Sequence, residues 1–374
     1  MHLLQRHILK SVVFSCAAAA GLFGFVLIVG NALKDLLGYV LAGQLAPEVL
    51  VKLLALLVPY VGAYALPMGV LTGVLLVLGR MSAQHEITAM RAAGLSLGYV
   101  ARPIYWVAAA GVVISLAVNF YYMPRARTAY KNTLAEAVRA NPLNFIVEKT
   151  FIRDFPGVTV YVGKKDGELM KDFWVWELDA DKRVQYFARA RSGRFDFVEQ
   201  DNKLVLTLSQ VTAETRDTKD PEDFSRPHPL GASDEITFDL KLDNLLGKQS
   251  VRKKLSQLTL DELLAERKRL AAAPKATALE KMRVSIALHE KASSAFAVVA
   301  LALIAIPLGI KTSRKETTAN LGMAVALTLG FHFMTIMAGW LDQFPAVRPA
   351  LLLWVPPLLF AGVGIWMFRR VGRA

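Results

Sequence analysis

The 374 residues include a single cysteine, Cys16, so no intramolecular disulfide can form and cysteine usage carries no compartment signal. Cys16 stands inside an apolar run and reads as lipid- or core-facing. Nucleotide-binding hardware is missing as well. A phosphate-cradling loop needs Gly, four residues, then Gly-Lys-Ser/Thr. The nearest approach, Gly157 to Gly163-Lys164, has one residue too many and continues with Lys165. If ATP drives this chain, another subunit hydrolyses it. Two His-Glu dipeptides, His85-Glu86 and His289-Glu290, lack the second histidine that a zinc-protease helix requires, because Ala89 and Ser293 stand in its place. No serine nucleophile elbow, internal repeat or low-complexity tract occurs. Long apolar runs are almost free of charge, and none holds a pair of carboxylates for a proton relay. His332 is the one ionisable group within a run, and such a histidine usually bonds a neighbouring helix. These absences describe a non-catalytic chain with no cofactor and no metal site.

What is present is apolar. Hydrophobic residues make up 54% of the chain and mean hydropathy is +0.37, above the range of ordinary soluble domains. The excess gathers at the two ends, with ordinary composition between. A net charge of +13 admits nucleic-acid binding, but basic residues also collect at the cytoplasmic ends of membrane spans. With this hydropathy, topology is the better explanation and no nucleic-acid partner is expected.

A span needs about 20 mostly apolar residues. Six runs qualify: Ser11–Leu33, Leu53–Leu78 (interrupted by Pro59 and Pro67), Ile104–Met123, Ala292–Ile310, Leu321–Leu341 and Leu351–Phe368. The first is too long for a signal-peptide core and lacks a small-x-small cleavage site, so it is expected to stay. One side collects Arg6, Lys10, Arg80, Arg91, Arg102, Lys311, Arg314, Lys315, Arg369, Arg370 and Arg373. The other has only Lys34, Lys52 and Arg348 in its short loops. The basic side reads as cytoplasmic, which puts both termini inside and the long middle insert outside.

The insert reads in three parts. Residues 125–138 look like a helical extension of the third span. From Phe145 to about Asn244 the runs VTVYV, FWVWEL, RVQYFARA, RFDFV, KLVLTL and EITFDLKL read as strands. Turn formers Asp166-Gly167, Ser192-Gly193 and Asp201-Asn202 lie between them, and the polar stretch Thr215–Ser233 reads as a loop. Short strands at near-regular spacing predict a sandwich or jelly roll. From Leu258, Thr259 and Glu262 fit a capping box ahead of an amphipathic helix, LDELLAERKRLAA. The expected organisation is therefore 1–124, three spans with a short cytoplasmic helix at about 80–97; 125–250, a β-jelly-roll-like domain with a helical lead-in; 251–291, a helical return; and 292–374, three more spans. Gly69 with Gly73, and Gly94 with Gly98, have the GxxxG spacing of close helix packing, which is a weak signal in Gly-rich spans.

The stretch RMSAQHEITAMRAAGLSLGY, Arg80–Tyr99, is helical in pattern. Ser82 can cap it, Ile87, Met90 and Leu95 give it an apolar side, and Gly94 can end it. Glu86 is the single acidic residue on a basic surface. Periodicity alone admits two readings: a coupling helix that docks into a cytoplasmic ATPase, or an interfacial helix lying on lipid headgroups.

Leu66–Ser96, LPMGVLTGVLLVLGRMSAQHEITAMRAAGLS, resembles the signature of the lipopolysaccharide-export permease family LptF/LptG. The likeness runs through Leu66-Pro67, Leu78-Gly79-Arg80, Glu86, Met90, Ala93-Gly94 and Leu95-Ser96. It continues at Asn119 with Pro124, at IPLGI (Ile306–Ile310) and at LLWVPPLLFAGVGIWMFRR. SAQHEITAM resembles the F type and the C-terminal segment the G type. One departure is Ser293-Ser294, where the family often has a proline.

The resemblance implies an inner-membrane, multi-pass permease subunit with a periplasmic jelly roll. Such a subunit pairs with a sister permease and recruits a dimeric cytoplasmic ATPase. It extracts lipopolysaccharide, a membrane lipid, and passes it toward the outer membrane through a bitopic LptC-like partner and a periplasmic bridge. By this similarity Arg80, Ser82, Glu86, Met90, Arg91 and Gly94 form the ATPase-coupling set, and Lys34 lies where basic residues meet lipid phosphates at the gate. A cation there suits an anionic glycolipid, although Lys34 can equally snorkel at an interface. Spans without midplane charge suit a cavity for acyl chains. The competing class is a sensor or scaffold, which usually carries a folded cytoplasmic output domain. The largest cytoplasmic piece here is only about 20 residues long, too short for one.

Overall fold

A computed structural model describes residues 3–36, 40, 45–140, 146, 148–152, 157–166, 169–179, 183–198, 203–216, 230–241, 255–273, 277–311, 317–340 and 349–373. The chain divides into two compact units. One comprises Met1–Lys34, Leu54–Ala129 and Lys253–Ala374, and the other comprises Asp35–Leu53 and Tyr130–Arg252. The expected return segment therefore belongs with the apolar helices, not with the strands.

The first unit is helical. In chain order it holds α1 (Leu3–Asp35) but for its last residue, α2 (Pro47–Ala83) from Leu54 onward, the short α3 (Glu86–Ala92) and α4 (Leu97–Ala117). A π-helical turn, Val118–Tyr122, joins α4 to α5 (Met123–Ala140), of which Tyr130–Ala140 falls in the second unit. After the strand unit come a 3₁₀ turn (Leu255–Gln257), α6 (Leu260–Ala272), α7 (Ala278–Lys311), α8 (Thr317–Trp340), α9 (Pro349–Leu352) and α10 (Val355–Arg373).

Among the described residues five helical stretches are long and apolar enough to cross a membrane: Leu3–Asn31, Pro47–Ala83, Leu97–Ala137, Ala278–Lys311 and Pro349–Gly372. The remaining expected span, Leu321–Leu341, is carried by α8. That helix is 24 residues long, with Gly322–Met337 its apolar part among the described residues, and Leu341 lies outside them. Pro59 and Pro67 stay inside α2, as expected of a packed apolar helix. The 41 residues of Leu97–Ala137 correspond to roughly 60 Å at 1.5 Å per residue, about twice a hydrocarbon core. The polar half, with Arg125 and Arg127, is thus the expected extension of the third span.

Packing in this unit centres on α7. Glycines let its neighbours approach closely. A Cβ at Gly111 of α4 would lie 2.8 Å from Val298, one at Gly309 would lie 2.8 Å from Leu78 Cβ of α2, and one at Gly364 of α10 would lie 2.6 Å from the Leu303 backbone. Ser293, where a proline was the family habit, keeps α7 unbroken and donates its hydroxyl to Leu353 O at 2.8 Å. The expected boundary at 291/292 therefore falls inside one helix. The GxxxG pairs part company. Gly69 and Gly73 seat α1 on α2, since a Cβ at either would come within 2.5 Å of Ala20 or Cys16. Cys16 is accordingly core-facing at 7% exposure. Gly94 instead closes α3, and Gly98 touches no other helix closely.

The helix α6 forms as its sequence dictates. Thr259 Oγ1 accepts from Glu262 N, and Glu262 Oε2 accepts from Thr259 N at 2.9 Å, which completes the capping box. Its apolar stripe, Leu263 and Leu270, buries against Val284 and Ala287 of α7. Thr259→Ala is expected to destabilise α6 by about 1 kcal/mol. Faster amide hydrogen exchange over Asp261–Leu263 than in the parent checks this.

The second unit contains a six-stranded antiparallel meander in the order β1 (Thr150–Ile152), β2 (Val158–Asp166), β3 (Leu169–Leu178), β4 (Val184–Val198), β5 (Lys203–Thr215) and β6 (Leu230–Lys241). Every described strand pairs with its sequence neighbour, so the Greek-key order of a jelly roll is not seen among them. Period-two alternation sorts the faces. Ile152, Val160, Val175, Ala188 and Ala213 pair in one buried row, while Phe151, Tyr161, Trp174, Arg189 and Thr212 pair in the adjacent row on the other face.

Two sequence expectations fail here. Ser192-Gly193 is no turn, because β4 runs straight through it. A Cβ at Gly193 would meet Leu208, Phe173 and Thr207 O within 2.9 Å, so glycine serves packing there. The stretch Thr215–Ser233 is not all loop, since β6 already begins at Leu230.

Candidate functional site

The segment Arg80–Tyr99 is built as an elbow. α2 does not stop at Arg80 but continues through Ser82 to Ala83, because Leu78 and Met81 are buried and hold that turn to the core. Ser82 therefore does not cap α3. Its hydroxyl donates to Ile310 O, in the last turn of α7, at 2.8 Å. The helix expected over the whole segment breaks at Gln84-His85. His85 takes a left-handed conformation (φ 58°), with its N–H bonded to Ser82 O at 3.0 Å. Histidine is among the few non-glycine residues enriched there, but nothing in the residue type announces the break.

From this turn α3 starts, with Ala89 N donating to His85 O at 2.9 Å. Ile87 and Met90, 4% and 8% exposed, press it onto the helical core. The opposite face, Thr88, Ala89, Arg91 and Ala92, is exposed, and Glu86 is half-buried at the first position. Gly94 (φ 82°) ends the helix as expected. Gly94 N donates to Arg91 O and Leu95 N to Met90 O, the paired bonds of a Schellman motif, and Leu95 packs partly against the core. Ser96 then caps α4, accepting from Tyr99 N at 3.2 Å.

Of the residues singled out from sequence, Arg80, Arg91 and Gly94 are exposed and Glu86 is half-buried. Met90 is turned into the core and Ser82 toward α7. An exposed, mixed-charge face on a short helix clamped at both ends can dock against another protein without reorganising. Lys34 lies in the last turn of α1, and its side chain is outside the described residues.

A second polar group gathers at the opposite ends of these helices. Arg127 stands 4.8 Å over the Tyr60 ring, Tyr60 packs edge-on to Tyr64, and Tyr64 lies 6.0 Å from the His332 ring. His332 thus meets α2 by ring packing. Lys291, 6% exposed, donates from Nζ to Leu258 O at 2.7 Å and lies over Phe120 of the π turn. Nearby, Trp354 Nε1 donates to His289 Nδ1 at 3.0 Å. Sequence reading passed over Lys291 and Arg127. For Lys291 the available signal was a cation three turns inside what is now one continuous helix. Among the described residues no group of His, Cys, Asp and Glu could hold a metal ion.

Residues 6–370 match the family described as the lipopolysaccharide export system permease LptF/LptG. The chain is also 26% identical over 183 residues to the lipopolysaccharide export system permease protein LptF of Escherichia coli K12. The corresponding LptF proteins of Escherichia coli O157:H7 and Shigella flexneri give the same figures. The alignment covers 48% of this chain and 50% of each relative, so the chain spans about half the length of the curated relatives it matches.

Proposed function

Because the chain belongs to the lipopolysaccharide export permease family LptF/LptG, we propose that it is the non-catalytic membrane subunit of an ATP-driven transporter. It extracts lipopolysaccharide from the inner membrane and hands it to a periplasmic bridge. The observation that carries this reading is the α2–α3–α4 elbow. The chain has no phosphate-binding loop, so ATP must be hydrolysed elsewhere. The exposed face of α3, held by Ile87, Met90 and the Gly94 closure, is a rigid surface on which a cytoplasmic ATPase dimer can push.

In this reading α8 supplies the sixth span, both termini are cytoplasmic and the strand unit is periplasmic. The strand unit serves as the jelly-roll-like domain. Its apolar side, lined by Val160, Val162, Phe173, Val175 and Leu206, suits acyl chains. A sister permease and a bitopic LptC-like protein complete the assembly. Lys34 meets lipid phosphate at the gate, and Arg80, Glu86, Arg91 and Gly94 form the ATPase-facing surface.

The test is affinity recovery of the tagged full chain from native membranes in mild detergent, with bound proteins and lipid identified. Co-recovery of an ABC-type ATPase, a second permease of this family and lipopolysaccharide is expected. Recovery of an intact chain with none of these overturns the reading in favour of a sensor or scaffold.

A further inference from the structure

Two helix C-termini lie side by side at the elbow. The last carbonyls of an α-helix have no partner within it. Ile310 O, in the closing turn of α7, finds one in the Ser82 hydroxyl of α2, at 2.8 Å and across 228 residues of sequence. The contact is tight around that bond, since a Cβ on Gly309 would lie 2.8 Å from Leu78 Cβ and 3.6 Å from Gly79 N. Only Gln84 and His85 separate α2 from α3. The left-handed turn at His85 and its bond to Ser82 O leave little slack, so Ser82 moves with α3.

α7 is unbroken from Ala278 to Lys311. From Ile310 back to Lys291 it runs roughly 29 Å at 1.5 Å per residue, about the thickness of a hydrocarbon core. At its other end it carries three fixed attachments: Lys291 to Leu258 O, Ser293 to Leu353 O and His289 to the Trp354 indole.

We propose that Ser82 is a positioning residue that links α3 to α7, so that displacement of α3 by its docking partner is carried along α7 to the groups held by Lys291, Ser293 and His289 on the far side of the membrane. This rests on the permease reading. The hydroxyl transmits by satisfying the Ile310 carbonyl, so a variant that keeps a hydroxyl keeps the link.

The full complex with ATPase and sister permease is reconstituted in vesicles containing lipopolysaccharide, and lipid release and phosphate release are measured in the same sample. Ser82→Ala is expected to lower the lipid released per ATP hydrolysed roughly five- to tenfold, the low end of ordinary coupling energies. Ser82→Thr is expected to restore the ratio to within about twofold. An unchanged ratio in Ser82→Ala overturns the proposal. An equal fall in Ser82→Ala and Ser82→Thr also overturns it, since that pattern follows side-chain shape and not the hydroxyl. A parent chain that assembles with no ATPase overturns the permease reading itself, a result distinct from either.

Discussion

On the proposed permease reading, Glu86→Arg is expected to leave the chain folded and membrane-inserted while weakening recovery of a bound ATPase roughly tenfold or more, the usual scale for reversing a charge in a docked pair. Glu86 opens α3, where the exposed N–H groups of the first turn favour a carboxylate. The other charged residues of the elbow, Arg80 and Arg91, are both cations. Reversal therefore removes the one negative charge and adds a third positive one. Ile87 and Met90 are untouched, so α3 stays on its core. Quantified ATPase in the affinity-purified complex is the measurement, with Glu86→Gln expected to fall between parent and Arg. Unchanged recruitment and transport in Glu86→Arg would remove α3 from the docking surface.

Gly73→Val is expected to be the most destructive single change in the membrane unit. A Cβ there would lie 2.5 Å from Cys16 N and 2.6 Å from Cys16 Cα, both backbone atoms that cannot rotate aside. α1 must then leave α2, at a cost of about 3 kcal/mol, the upper end of the usual scale of overpacking. Gly62→Val in the same helix is the control, since nothing lies within 4 Å of a Cβ there. Thermal unfolding in detergent, followed by size-exclusion chromatography, should show loss of monodisperse protein for Gly73→Val and little change for Gly62→Val.

Much of the helical unit was legible because a bilayer imposes a composition, and twenty apolar residues are hard to mistake. The run Ser11–Leu33 falls inside α1, and Ile104–Met123 inside the helix that continues through the π turn. The outer parts of the helices were not all legible. The start of α7 at Ala278 carries Glu280, Lys281 and Arg283, which read as polar return segment, and only packing of Val284 and Ala287 against α6 shows that they extend the span. In the sheet, alternation located the strands but misread Gly193, because a glycine chosen for close packing and one chosen for a turn look alike in one dimension. The elbow was legible in its apolar positions, Ile87, Met90 and Leu95, and in its stop, Gly94. Ser82 and His85 were not, since their roles depend on a carbonyl 228 residues away and on a backbone angle.

The contact between Gly73 and Cys16 has a practical side. The chain's single thiol is sealed into the α1–α2 seam, with its sulfur directed at the Val70 carbonyl. A small membrane-permeant alkylating reagent reaches it only when these two helices part. The protein thus carries its own chemical reporter of α1–α2 separation, needing neither an introduced label nor the removal of competing cysteines, and its labelling rate records how often the seam comes undone.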